Sequence, residues 1–204
     1  DPEDGNENDE YFDKLAKRSV NNMSKFDQPK RQWDNFPHRD YILFPCQLPH
    51  DETIKWHSKI SVEQALNAVI TYCEQTNTKL IVKGHPVNTA SMEPLKLLTV
   101  SSSVTEYILE GSIFDFIEHA KTVCVVNSGT GFESILMKKP VVMFGDAEYD
   151  KVVNKANLNN YMEVMKEATF DETDYRKFVS RWTNVMYNTY DSTSFRKLPS
   201  LISF

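Results

Sequence analysis

Four short apolar runs, at 41–44, 80–82, 122–126 and 141–144, lack the polar alternation of a strand with one wet face. Strands apolar on both sides belong to a sheet covered on both faces. Between the runs the period changes to that of a helix. Ser61 with Gln64 three residues later has the form of a capping box, and Val62, Ala65, Leu66, Val69, Ile70 and Cys73 follow at helical spacing as far as Thr76. A weaker helix is expected over 91–98 and a strand over 104–109. Ser112 caps a short helix with Ile113, Phe116 and Ile117 on one face, and a further helix is expected over 131–137. Strands alternating with helices in this way give an α/β fold, a Rossmann-like parallel sheet with helices on both faces. Helical runs at 158–166 and 172–190 are expected to pack back across it.

Residues 1–36 are acidic and Asn-rich at first, then mixed, and form an N-terminal arm with one helix expected between 10 and 23. Residues 37–204 form a single Rossmann-like domain. At 204 residues, 40% of them hydrophobic, the chain buries one good core but is short for two full domains. It begins at Asp1 rather than Met, as a segment of a longer polypeptide would.

A net charge of −6 argues against general binding to nucleic acid, which needs clustered Lys and Arg. It leaves room for a small anion in one local pocket. Cys46, Cys73 and Cys124 lie widely spaced in or beside apolar runs, so buried free thiols and a reducing compartment are expected. No run approaches the ~20 apolar residues of a membrane span, and the start does not have the form of a signal peptide. A cytoplasmic location follows as an expectation. His38, His50, His57 and His119 have no ligand spacing, so no protein-bound metal is expected.

In doubly wound sheets ligands bind beyond the carboxyl ends of the strands. Three places there carry chemistry: Gln47 to Asp51 after the first run, Lys83-Gly84-His85-Pro86 after the second, and Asn127-Ser128-Gly129-Thr130-Gly131 after the third. A strand entering Ser-Gly-Thr-Gly and then a helix turns unpaired amides and the positive helix end toward one point, where a phosphate fits. Gly129 and Gly131 permit close backbone approach, and Ser128 and Thr130 add hydroxyls. The alternative is an ordinary capped turn. Neither GxxxxGK[ST], GxGxxG nor G-x-S-x-G can be written here.

Glu133, placed in the first turn of that helix, reads as a cap or as the acceptor for two ribose hydroxyls. His85, held extended by Pro86, can donate to a phosphate oxygen, and Lys83 has a less certain direction. Asp51 is a candidate base or nucleophile, or a solvated loop charge. Asp146, Glu148 and Tyr149 add a polar patch near the same rim, while basic side chains are missing around Ser128.

"LIVKGHP", followed about forty residues later by "VVNSGTGFESILMKKPVVMFGDAEY", resembles the capsule polysaccharide biosynthesis glycosyltransferases, which include bacterial β-Kdo transferases of GT-B type. "FPCQLPHD" is similar to that family's glutamine and aspartate element, at Gln47 and Asp51. The resemblance covers residues 41 to about 150. It implies a metal-independent glycosyltransferase without cofactor, moving Kdo from CMP-Kdo, or a deoxyhexose such as L-rhamnose from a UDP- or dTDP-sugar, to a glycan or glycolipid acceptor. By the same resemblance Asp51 is the catalytic carboxylate and His85 contacts the donor phosphate. Ser128, Gly129, Thr130 and Gly131 cradle that phosphate, Glu133 meets the ribose, and Gln47 and Lys83 complete the donor site. Met137-Lys138-Lys139 stands where the family usually has a glycine before Pro140. The chain is also short for a two-domain GT-B enzyme, so another domain of the same polypeptide is expected to complete the acceptor side. A nucleotide-sugar epimerase and a non-catalytic nucleotide-sugar-binding module are the alternatives.

Overall fold

The structure, a computed structural model, describes residues 17–87 and 89–185. Six strands run parallel in one sheet: β1 (Tyr41–Pro45), β2 (Leu80–Lys83), β3 (Thr105–Ile108), β4 (Ala120–Val125), β5 (Val141–Met143) and β6 (Asn154–Lys155). Their order is β3-β2-β1-β4-β5-β6. The helices are α1 (Glu52–His57), α2 (Val62–Thr76), α3 (Glu93–Val100), α4 (Ile113–His119), α5 (Gly129–Leu136), α6 (Tyr161–Glu167) and α7 (Glu172–Val185).

The order dictates where the helices lie. Strand-to-strand crossovers are right-handed, so stepping outward from β1 to β3 and then reversing through β4 to β6 sends helices to opposite faces. One face packs Ile42, Phe44, Leu80, Val82, Cys124 and Val142 against α2, Leu95 of α3 and Met165 of α6. The other packs Tyr41, Leu43, Ile81, Val123, Val125 and Met143 against α4, Ile135 of α5 and Tyr175 of α7. Successive strand residues alternate between these two cores, which is why the strands read as unbroken apolar runs. The expected α/β Rossmann-like class is the observed one.

Local signals account for most of the elements. Ser61 accepts from Gln64 N and the Gln64 side chain returns the bond to Ser61 N, a complete capping box, and Asn77 ends α2 in the left-handed region at φ 49°. Cys46, Cys73 and Cys124 are buried free thiols in one core, and burial pushes the first two up to about 12. Two elements were not anticipated, α1 and the two-residue edge strand β6. Residues 17–20 are helical, within the expected 10–23, and the rest of that expectation before residue 17 lies outside the described residues. Residues 186–190 of the expected last helix also lie outside them.

The described part of the arm is packed down. Phe36 is buried, with its ring 4.8 Å from that of Phe116 and stacked on His119 at 5.5 Å. Arg31 Nε donates to Asp115 Oδ1 at 2.9 Å, and the amide of Gln32 donates to Asp115 Oδ2 at 2.7 Å. Both Arg31 and Asp115 are buried, so the arm is pinned to α4 by a charge pair removed from solvent.

Candidate nucleotide-sugar site

The sheet reverses its order between β1 and β4, and the loops leaving those two strands part there. Side chains bridge the parting. Gln47 Nε2 donates to Asn127 Oδ1 at 2.9 Å, the Asn127 amide donates to Gln47 Oε1 at 3.0 Å, and Asn127 Nδ2 donates to Thr53 O at 2.9 Å. Above this bridge a cleft of about 1110 Å³ opens along the carboxyl rim, lined from the loops after β1 to β5 and by arm residues 18–19 and 23–29. Its position is the one a doubly wound sheet gives to ligands.

The loops after β1, β2 and β4 each bring predicted residues to this cleft. Asp51 is the N-cap of α1. Its Oδ1 accepts from Thr53 N and from Thr53 Oγ1, both at 2.9 Å, while Oδ2 has no hydrogen-bond partner among the described residues. The Thr53 amide holds its carboxyl below the usual range, so it is ionised at neutral pH. His85 is half-buried, and burial pulls its pKa below 6.5. Its Nδ1 lies 3.1 Å from both the N and the O of Val87. The tautomer that accepts the Val87 amide at Nδ1 carries its hydrogen on Nε2, the other donates from Nδ1 to the Val87 carbonyl and leaves Nε2 as an acceptor, and the protonated ring donates from both nitrogens. In the first and the last of these states Nε2 has a hydrogen to donate.

At the Ser128 turn the structure corrects the expectation of several unpaired amides. Helix α5 starts at Gly129, two residues earlier than expected, with Ser128 as its N-cap. The Thr130 amide donates to Ser128 Oγ at 3.2 Å and the Gly131 amide to Ser128 O at 2.9 Å. The Gly129 amide is left without a partner among the described residues, and a Cβ added at Gly129 would meet nothing within 4 Å. The backbone at Gly129 is thus open to close approach from the cleft. Gly131 has a different cause, since a Cβ there would stand 2.6 Å from the Tyr149 hydroxyl. Tyr149 is buried and donates its hydroxyl to Ser128 O, bracing the turn from below. The sequence marked Tyr149 only as part of a rim patch.

Three further placements differ from expectation. Glu133 lies in the second turn of α5, which removes the capping reading. It is half-buried, and its Oε1 accepts from Ser24 Oγ of the arm at 2.5 Å. Burial raises its pKa above 4.5, against the lowering effects of Ser24 and Arg18. Gln47 is committed to the Asn127 bridge and serves as floor. Lys83 is buried, donates to Leu109 O at 2.6 Å and stands 5.6 Å over the Phe116 ring, and burial lowers its pKa to about 8. Gly84 beside it leaves the space taken by the Tyr107 ring, whose hydroxyl would be 2.4 Å from an added Cβ. The described arm residues Arg18, Ser24, Lys25 and Phe26 have no local signal in the sequence that ties them to this rim.

Fold and site together define a Rossmann-type α/β protein with an open cleft at its topological switch point. The chain belongs to the family of capsule polysaccharide biosynthesis proteins, whose pattern it matches over residues 5–190. It is 28% identical over 120 residues to the capsule polysaccharide export protein KpsS of Escherichia coli, a match covering 54% of this chain and 31% of that protein. In fold it is similar to KpsC, beta Kdo 2,7 transferase, of Thermosulfurimonas dismutans, at TM-score 0.54 and 16% identity, over 96% of this chain and 62% of that one. It is also similar in fold to S. aureus MnaA in a structure with UDP, at TM-score 0.52 and 17% identity, over 81% of this chain and 46% of that one. The chain thus spans about a third of its curated relative and under two thirds of the solved transferase.

Proposed function

We propose that this chain is the donor-binding part of a glycosyltransferase of capsule or related glycan synthesis, which moves a sugar from a nucleotide sugar to a glycan or glycolipid acceptor. The observation that carries the reading is the convergence of Asp51, His85 and the Ser128–Gly129–Thr130 turn on one cleft at the switch point. Family membership and the likeness in fold to a Kdo transferase support it. The donor is Kdo on CMP, or a deoxyhexose such as L-rhamnose on UDP or dTDP.

In this reading the leaving phosphate lies against the α5 N-terminus. The Gly129 amide, the Ser128 and Thr130 hydroxyls and His85 Nε2–H stabilise the charge it gains as the glycosidic bond breaks. Glu133, with Oε1 held by Ser24, offers Oε2 to a ribose hydroxyl. Asp51 is ionised and weakly basic, so it suits attack on the anomeric carbon, or stabilisation of positive charge there, better than proton abstraction from an acceptor. The acceptor side is supplied by polypeptide outside this chain.

A thermal-shift screen against CMP, UDP, GDP, dTDP and ADP tests the binding half. A nucleotide at 100 times its dissociation constant stabilises the fold by about 2.7 kcal/mol, several degrees for a chain of this size. Silence across the panel overturns the reading. Asp51→Asn tests the catalytic half: nucleotide binding is kept and transfer is lost by the polypeptide that carries this chain. Donor turnover that needs no acceptor overturns transfer as the reaction.

A further inference from the structure

The arm that covers the cleft is built rather than draped. Asn22 sits in the left-handed region at φ 57° and its Nδ2 donates to Pro29 O at 2.8 Å, closing residues 22–29 into a loop. Gln28 Nε2 donates to Phe26 O inside the loop at 2.9 Å, and Gln28 Oε1 accepts the Ile113 amide at 2.9 Å. Ser112 Oγ donates to Asn22 Oδ1 at 2.6 Å. These bonds spend the polar side chains that face α4 and hold the others over the cleft. Ser24 reaches Glu133, and the Phe26 ring meets His85 edge to face at 5.1 Å. Lys25, between them, lines the same cleft, and its exposed side chain carries no hydrogen bond or ion pair among the described residues.

We propose that residues 18–26 are the second wall of the ligand site and that Lys25 is a specificity-determining residue, the cationic contact for an anionic group of the donor. This rests on the nucleotide-sugar reading and deepens it: the substrate is a donor whose negative charge is held from both sides, by the α5 N-terminus below and by the arm above. The charge distribution agrees. Thr53's bonds dominate the lowered pKa of Asp51 and burial that of His85, and the Lys25 charge lowers both as a smaller contribution. The arm thus supplies the basic side chain that the sequence around Ser128 lacks. The Lys25 ammonium stands 5.5 Å over the neighbouring Phe26 ring and takes no part in the loop's anchors at Asn22, Gln28 and Arg31, so its replacement leaves those anchors intact.

The test is calorimetric binding of UDP and CMP, with uridine and cytidine as uncharged controls, to wild type, Lys25→Ala and Lys25→Arg. Charge-assisted hydrogen bonds are worth enough that Lys25→Ala should weaken the responding nucleotide about 10-fold or more. Lys25→Arg should stay within about threefold of wild type, and the nucleoside controls should not distinguish the three proteins. The slope of affinity against salt should also fall in Lys25→Ala. Unchanged nucleotide affinity in Lys25→Ala, with weaker binding in Ser128→Ala, overturns the arm's role and leaves the cleft reading standing. A wild-type chain that binds neither of these nucleotides nor dTDP, GDP or ADP overturns the cleft reading and the arm's role with it.

Discussion

The two walls of the cleft are held by opposite means. The sheet wall is made of loops a few residues long, each beginning at the end of a strand whose register is set by two cores; Asp51, His85 and Ser128 bond to near neighbours, Thr53, Val87 and Thr130, over a floor bridged by Gln47 and Asn127. The arm wall bonds across the chain, through Arg31 to Asp115, Asn22 to Ser112 and Gln28 to Ile113. The first wall is consequently rigid wherever the sheet is intact. The second depends on a few long-range polar contacts, one of them a buried charge pair. A site assembled this way has a floor and a cover held by different contacts, and each wall can be broken separately.

The largest expected effect breaks the cover. Asp115→Ala takes one of two carboxylates from the buried Arg31 guanidinium, whose Nη2 still pairs with the half-exposed Glu118, and leaves the Gln32 amide without its acceptor. Removal of one partner of a buried pair costs about 3–5 kcal/mol, and the Glu118 contact puts this variant at the low end. Urea unfolding should show that loss, and limited proteolysis should then cut in the arm before the sheet. Equal protection of arm and sheet in the variant would show that other contacts hold the arm. A smaller effect sharpens the floor. Gly131→Ala drives a methyl into the Tyr149 hydroxyl, at a cost of about 1–3 kcal/mol, and Tyr149→Phe should relieve part of it. Gly129→Ala, where the space is open, should not destabilise the fold at all, because Ala is the better helix former. A destabilised Gly129→Ala would contradict the open approach to that backbone amide.

The same contrast explains what was legible in the sequence. Helix α2 is readable to the residue because its capping box and its apolar spacing are local, and β1, β2, β4 and β5 are readable because burial on both faces leaves an apolar run, whereas β3, Thr-Glu-Tyr-Ile, is half-buried throughout and gives a weaker signal. Strand β6 is two polar residues, Asn154 and Lys155, at the sheet edge, held by pairing with β5 rather than by any pattern of its own. Helix α1 buries only Ile54 among its six residues, too little for a period, and Asp51 drew attention as a chemical group rather than as the cap it also is. At the Ser128 turn the chemistry was visible but its register was not. Gly129 read as loop and Gly131 as the first helical residue, whereas α5 opens at Gly129, which moves Glu133 from the first turn to the second and gives Gly131 to Tyr149. The arm carried no local signal, since the partners of Arg31 and Ser24 lie some 80 to 110 residues away and are selected by tertiary packing.

Ser24 joins the two walls by a hydrogen bond, beside the Phe26–His85 ring contact, and the smallest effect tests that bond. Ser24 Oγ donates to Glu133 Oε1, and the bond is strongest when that carboxyl is ionised. Burial raises the Glu133 pKa above 4.5, so as pH rises through 4.5 the unfolded chain gives up this proton before the folded one does. Over that interval the folded state binds more protons, and stability falls with rising pH until Glu133 ionises in the fold as well. The Ser24 hydroxyl limits that fall by favouring the ionised form. Ser24→Ala should therefore cost about 1.5 kcal/mol at pH 7, where the hydrogen bond is to a carboxylate, and about half that at pH 4, where the neutral acid needs it less. Urea unfolding at the two pH values measures the difference directly. A deficit equal at both would mean that Ser24 supports the arm without touching the charge of Glu133, and the two walls would then be independent.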